Sequence, residues 1–265
     1  MAPTSASARA RHLAGQLKQL VKETFSGVYG NMSEQTEWLA NPRFAALVSG
    51  SAFHTHELRE GRLDLFLNIP MKVLETTPAL ARCIVGALLN AVYEADGAVG
   101  GRVLFLLDEV ARLGFMASLA RARDAGRKYG ITLVMIYQSE GQLLEQWGDD
   151  GKTAWFESVT WRSYSAIADI AQAKSISEAC GEHGVVTTSQ ADGKGVSRRQ
   201  PLQLGTRSKN ESATRSEQRR RLITADEIVQ DMRTDEQIVF VRGRKPLRCG
   251  RAVYFRRPEL ARQVE

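Results

Sequence analysis

The sequence predicts an α/β fold: a mostly parallel sheet with helices on both faces, preceded by a helical segment and finished by C-terminal closing strands. Three observations predict it. From residue 63 onward, apolar runs of strand length alternate with stretches of helical periodicity. The runs are apolar throughout rather than alternating, as strands buried on both faces require. The clearest runs end in polar residues, at the strand ends where open α/β sheets bind ligands.

The elements follow in order. Residues 1–60 read as helical, with Leu13, Leu17, Leu20 and Val21 at helix spacing on a basic amphipathic stretch. Trp38, Leu39, Phe44 and Leu47 continue a broken helical pattern around Asn41-Pro42. Residues 61–184 form the α/β core. A first strand is expected over 63–69, stopped by Pro70, and an apolar helix over 78–95 with Leu80, Ile84, Leu88 and Val92. Gly97, Gly100 and Gly101 break that helix. Strands follow over 103–107, 131–137 and 159–164, with helices over 115–128, 140–147 and 168–180.

Residues 185–221 are rich in Ser, Thr, Gly, Gln and Arg and read as a flexible basic linker. Residues 222–265 return to the core. Thr224-Ala225-Asp226-Glu227 has the spacing of a capping box and opens a short helix. Closing strands are expected over 237–242 and 252–255, with a turn around Gly243 to Pro246.

Composition narrows the function classes. Lys and Arg number 36 against 30 Asp and Glu, a net charge of +6, which favours polyanionic partners such as nucleic acid or anionic lipid. Cys83, Cys180 and Cys249 are scattered and form no CxxC pair, so neither a zinc site nor a disulfide framework is indicated. His54 and His56 lack a nearby third ligand and read as a surface pair. No apolar run approaches the roughly 20 residues of a membrane span, and the first residues lack the apolar stretch of a secretory signal. The chain is therefore expected to be soluble by itself.

The sharpest local signal is Val103-Leu104-Phe105-Leu106-Leu107-Asp108-Glu109. A buried strand that projects two carboxylates from its tip is the Walker B pattern. Asp108 would hold Mg²⁺ through water, because Mg²⁺ prefers hard oxygen ligands in octahedral array. Glu109 would orient the water that attacks a γ-phosphate. Gln138, at the tip of the next strand, could sense that phosphate through its amide. Arg127 precedes the same strand, where a guanidinium delivered to a neighbouring subunit could stabilise transferring phosphoryl oxygens. Read blandly, the same residues are solvated acids at a turn, a turn amide, and a cation favoured at a helix C-terminus.

Taken together, these motifs resemble a known family. Leu106 to Gly114, Gly126-Arg127-Lys128-Tyr129-Gly130 and Gln138-Ser139 look like the TraG-like type IV secretion coupling proteins of conjugative DNA transfer. Trp38-Leu39-Ala40-Asn41-Pro42, Cys180-Gly181-Glu182, Arg221 to Ile228 and Glu236 to Gly243 extend the likeness over about residues 20–257. The resemblance implies a RecA-like P-loop NTPase core that assembles as a homo-hexamer around DNA. It implies ATP and Mg²⁺ as cofactors, and DNA nucleoprotein and secretion-channel components as partners. It places the full-length protein at the inner face of the bacterial inner membrane through an N-terminal anchor. It makes residues 1–60 part of an all-helical insert and gives Arg127 the trans-finger role.

One part of that machine is missing from the sequence. A phosphate-binding loop reads G-x-x-x-x-G-K-[ST]. The nearest approach, Gly151-Lys152-Thr153, has Gln146 where the first glycine belongs. By the resemblance, Met1 falls downstream of that loop and of the membrane helices. The expectation is a piece of a coupling ATPase that holds no nucleotide tightly and does not hydrolyse ATP alone. The alternatives are a non-catalytic fragment that docks DNA or secretion components, and another RecA-like translocase or helicase. Within the basic segment, Arg198, Arg199, Arg219, Arg220 and Arg221 are candidate phosphate contacts.

Overall fold

The computed structural model describes residues 5–50, 52–196 and 207–263, the side chains of 187–215 excepted. The chain divides into two compact units, Met1–Ser158 and Val159–Glu265.

The first unit opens with helices α1 (Ala8–Lys18), α2 (Lys22–Thr36), α3 (Pro42–Ser49) and α4 (Thr55–Arg59). The Asn41-Pro42 break works as expected. Asn41 caps α3 by accepting from the Arg43 N–H, and Pro42 takes the first helical position, where no amide partner is needed. Helix α5 (Met71–Thr76) leads into α6 (Pro78–Glu94), which buries Leu80, Val85, Leu88, Leu89 and Val92. Strand β1 (Val103–Leu107) runs parallel to β2 (Ile131–Met135), in register from Val103 opposite Ile131 to Leu107 opposite Met135. Between them lie a 3₁₀ turn (Val110–Leu113) and α7 (Ala117–Ala125). Helix α8 (Glu140–Ser158) bends at Gly148, whose φ of 69° no helix interior adopts.

Two expectations for this unit need correction. Residues 63–69 are extended but join no ladder among the described residues, and Phe66 is 90% exposed. An apolar run becomes a strand only where a neighbouring backbone supplies donors and acceptors. Strand β1 also buries only alternate residues: Val103 and Phe105 are inside, whereas Leu104 and Leu106 are exposed. Within this unit, then, β1 is covered on one face.

The second unit holds β3 (Trp161–Ser165), α9 (Ile170–Cys180), β4 (Glu182–Val196), β5 (Arg207–Arg221), a π-turn (Glu227–Asp231), β6 (Glu236–Val241), β7 (Leu247–Gly250) and α10 (Pro258–Ala261). Its core packs Ala173, Ile176 and Cys180 of α9 against Ile228 and Ile238. The buried polar residue there, Ser177, donates its hydroxyl to the Ile223 carbonyl at 2.6 Å.

The expected fourth parallel strand is β3, but it pairs antiparallel with β6, and β6 pairs antiparallel with β7. Apolar content signals burial and carries no strand direction. The turn before β7 lies where expected, with Gly243 at φ 74°. The last strand is Leu247–Gly250 rather than 252–255, where Tyr254–Arg256 makes a 3₁₀ turn.

The largest correction concerns 185–196 and 207–221; residues 197–206 of the expected linker lie outside the described residues. Instead of a linker, β4 and β5 pair antiparallel over fifteen residues each, from Glu182 opposite Arg221 to Val196 opposite Arg207. A two-stranded ladder needs only backbone amides, so polar composition does not forbid it. Arg198 and Arg199 lie outside the described residues. The expected capping box forms: Thr224 N–H donates to Glu227 Oε2 at 2.7 Å, and Glu227 N–H donates to Thr224 Oγ1 at 3.3 Å. It opens a π-turn rather than an α-helix.

Candidate functional site

The parallel register of β1 and β2 brings two chain segments together at the carboxyl ends of the strands. Ile136 N–H donates to the Leu107 carbonyl at 3.0 Å, extending the ladder past Met135. Asp108 and Glu109 leave β1 there, and Gln138 leaves β2 beside them. Gln138 Nε2 donates to Glu109 Oε1 at 2.8 Å, a bond across 29 residues of sequence.

Glu109 is held in a specific way. Its backbone is left-handed, φ 53° and ψ 34°, and it is the residue that opens the 3₁₀ turn. A side chain in that region costs on the order of 1–2 kcal/mol relative to a helical backbone. Its N–H is turned onto Asp108 Oδ1 at 3.1 Å. Its second carboxylate oxygen, Oε2, is buried and has no hydrogen-bond partner among the described residues. Burying an oxygen without a partner costs about 1–3 kcal/mol. Backbone strain and an unpaired oxygen fall on the same residue, which makes Glu109 the strongest candidate for a ligand-binding position.

Asp108 is exposed beside it. One exposed carboxylate, next to the buried orphan oxygen of Glu109, fits an ion that keeps most of its waters and shares substrate phosphates, as Mg²⁺ does. No cluster of three or more acidic, His or Cys side chains placed to hold a metal ion occurs among the described residues.

Sequence reasoning missed the supports behind these residues. The Gln138 N–H donates to Gln142 Oε1 at 2.9 Å, and the Gln142 N–H to Ser139 Oγ at 3.3 Å, where α8 starts. One turn further on, Gln146 Nε2 donates to the Gly114 carbonyl and, at 3.4 Å, to that of Val110. Gln146 Oε1 accepts from the Tyr137 hydroxyl at 2.8 Å, and that hydroxyl accepts from Trp147 Nε1 at 3.0 Å. Burial pushes the Tyr137 phenol up to about 12, against the opposing pull of the Trp147 bond. These bonds tie α8 to both ends of the 3₁₀ turn behind Glu109. The signal that could have found them is the four-residue spacing of Gln138, Gln142 and Gln146.

Arg127 is not part of this cluster. It sits in a turn closed at both ends by Gly126 and Gly130, and the Gly130 carbonyl accepts from Val103 at the start of β1. Strands β1 and β2 are five residues each, about 16 Å long, and Arg127 precedes β2 at the end opposite to Asp108. Both glycines are required by the turn. A Cβ on Gly126 would strike the Ala122 carbonyl, and one on Gly130 would lie 2.6 Å from Val99 Cγ2.

In the second unit, Arg219 and Arg220 are exposed and Arg221 is half-buried. Arg220 pairs with Glu227 at 2.7 Å, and Arg221 lies 3.6 Å from Glu178 and 3.4 Å from Glu182. In the first unit, His54 and His56 stack on each other.

The family model described as type IV secretory system conjugative DNA transfer matches residues 3–265. The chain is 50% identical over 248 residues to the conjugal transfer protein TraG of Rhizobium radiobacter, covering 92% of this chain and 37% of the relative. It is 46% identical over 257 residues to the type IV secretion system-coupling protein VirD4 of Bartonella quintana, covering 97% of this chain and 39% of the relative. The chain thus spans less than two fifths of the length of these relatives. Among solved structures, the plasmid coupling protein TrwB in complex with ADP and Mg²⁺ matches with a TM-score of 0.56 at 20% identity, over 76% of this chain and 43% of that one. TrwB with a non-hydrolysable ATP analogue matches with a TM-score of 0.57 over the same shares. The fold is RecA-like. Among the described residues, no helix is long and apolar enough to cross a membrane.

Proposed function

This chain belongs to the type IV secretory system conjugative DNA transfer family, and from that premise we propose that it supplies the acidic half of the nucleotide site of a coupling ATPase. The single observation that carries the reading is Glu109, with one oxygen fixed by Gln138 and the other buried and unpaired.

In this reading, Glu109 Oε2 accepts from the water that attacks the γ-phosphate of ATP, and its left-handed backbone aims the carboxylate at that water. Gln138 fixes the other oxygen and reports the presence of the phosphate through its amide. Asp108 is the residue that would hold Mg²⁺. When bound, the ion would neutralise phosphate charge. Arg127, at the far end of the strands, cannot serve the Glu109 of its own chain. It acts across a subunit boundary in a homo-hexameric ring, on the nucleotide of a neighbour. Hydrolysis drives DNA or nucleoprotein into the secretion channel at the inner face of the membrane.

The sequence contains no G-x-x-x-x-G-K-[ST] loop, so the triphosphate cradle comes from outside these residues. The 265 residues alone hydrolyse ATP negligibly. The missing loop is also what favours a second reading, a non-catalytic fragment that binds DNA or channel components.

A graft separates the two readings. The matching segment of the Rhizobium radiobacter TraG protein is replaced by this chain, and conjugative transfer is counted. The proposal expects transfer by the chimera and its loss in the Glu109→Gln chimera. Equal transfer by both chimeras would sink the catalytic reading.

A further inference from the structure

We propose that the β4–β5 ribbon is an arm that binds duplex DNA through its phosphates. The inference rests on the DNA-handling side of the function above and deepens it. It locates the binding surface and specifies the form of nucleic acid.

Charge distribution is the first argument. The two strands hold seven Lys and Arg against four Asp and Glu, whereas the rest of the chain holds 29 against 26. Half of the net positive charge of the protein therefore lies on these two strands. Geometry is the second. Fifteen paired residues per strand make a ribbon roughly 50 Å long, about one and a half turns of B-DNA. A two-stranded ribbon also fits the width of a major groove.

The base of the ribbon is fastened to its own unit. Arg221 pairs with Glu178 of α9 and with Glu182, and Arg220 pairs with Glu227 of the π-turn. Arg219 is exposed, and Arg215, Lys209, Arg207 and Lys194 occupy positions further along the ladder. The three-arginine run thus divides into two anchors and one position open to a ligand.

Composition selects the partner. Single-strand binding modules stack bases on aromatic side chains, and residues 182–221 contain no Phe, Tyr or Trp. Membrane-surface segments insert large apolar residues, and the two strands carry none beyond Val185, Val186 and Val196. Basic residues on a paired ladder, with nothing to stack or insert, suit an ordered phosphate backbone without sequence readout.

The test uses the purified chain and a labelled short duplex, read by fluorescence anisotropy across a salt series. Duplex binding is expected to be steeply salt-dependent and tighter than binding to the single strand of the same sequence. Joint replacement of Lys194, Arg207, Lys209, Arg215 and Arg219 by Gln should weaken it at least about tenfold. It should also flatten the log–log salt slope by about 0.9 for each phosphate that is no longer neutralised. Replacing Arg9, Arg11, Lys18, Lys22 and Arg43 by Gln removes the same charge and should change binding less than about twofold. Circular dichroism confirms that both variants keep their fold. Three outcomes overturn the proposal: no duplex binding, equal weakening in the two variants, or preference for the single strand or for anionic vesicles. Because DNA binding needs no hydrolysis, the ribbon can fail while the Glu109 chemistry stands, and the reverse.

Discussion

Gln138 Nε2 and Glu109 Oε1 lie 2.8 Å apart, although 29 residues separate them along the chain. The bond exists because β1 and β2 are adjacent and parallel, so residues just beyond Leu107 and Met135 emerge side by side. It fixes one oxygen of Glu109 and leaves the other for the proposed chemistry.

In a TraG chimera carrying this chain, Gln138→Leu removes that fixing bond and leaves both Glu109 oxygens unpaired. Transfer and ATP turnover should fall about tenfold or more. Glu109→Gln, which removes the base, should cost about 10²-fold or more. ATP turnover by the purified chimeras measures both. A Gln138→Leu chimera as active as the parent would show that the amide does not position the carboxylate.

Glu109 also stores strain, at φ 53° and with a buried oxygen that has no hydrogen-bond partner among the described residues. Glu109→Gly relieves both, offset in part by the greater freedom of glycine in the unfolded chain. The variant should be about 0.5–1 kcal/mol more stable in urea denaturation while the chimera carrying it is inactive. A marked drop in stability would mean that Glu109 is there for packing.

The Gly126–Gly130 turn is predicted to be intolerant. Gly130 has φ 74°, and an added Cβ would lie 2.6 Å from Val99 Cγ2 and 3.1 Å from the Gly101 carbonyl. Gly130→Ala should cost about 2 kcal/mol or more, read as a lower urea midpoint. Arg127→Ala, by contrast, should leave the midpoint unchanged and abolish turnover only in the assembled chimera.

Tyr137 carries a pH signature. Its folded value, about 12, lies above the ordinary phenol value of 10.0 because the ring is buried. The folded protein therefore binds this proton more tightly than the unfolded chain. The associated stability is complete below about pH 10 and is lost as pH rises from about 10 toward about 12. Thermal melts of the purified chain should fall over that window and fall less steeply for Tyr137→Phe. Equal slopes would exclude Tyr137 as the titrating group.

Much of the site is legible in the sequence because its signals are local. The run 103–109 specifies a strand that ends in two acids. Asn41-Pro42 and the Thr224–Glu227 box each mark a helix or turn start through bonds spanning three residues or fewer. The supports from Gln142, Gln146 and Tyr137 are not legible in the same way. The partners of Gln146 at Val110 and Gly114 are brought near only by the fold.

The sequence by itself determined that 103–107 is a strand and that a second runs from 131, expected to 137 and ending at Met135, that acids and an amide follow them, and that the positive charge is concentrated in 194–221. Periodicity, capping and charge reside in neighbouring residues. Only the tertiary structure decided which strands run parallel, that 63–69 joins no ladder among the described residues, and that 182–196 and 207–221 pair as a ribbon. It also decided that Glu109 is left-handed with one oxygen unpaired. Strand direction, pairing and desolvation depend on which distant backbone arrives alongside, and no local pattern encodes that.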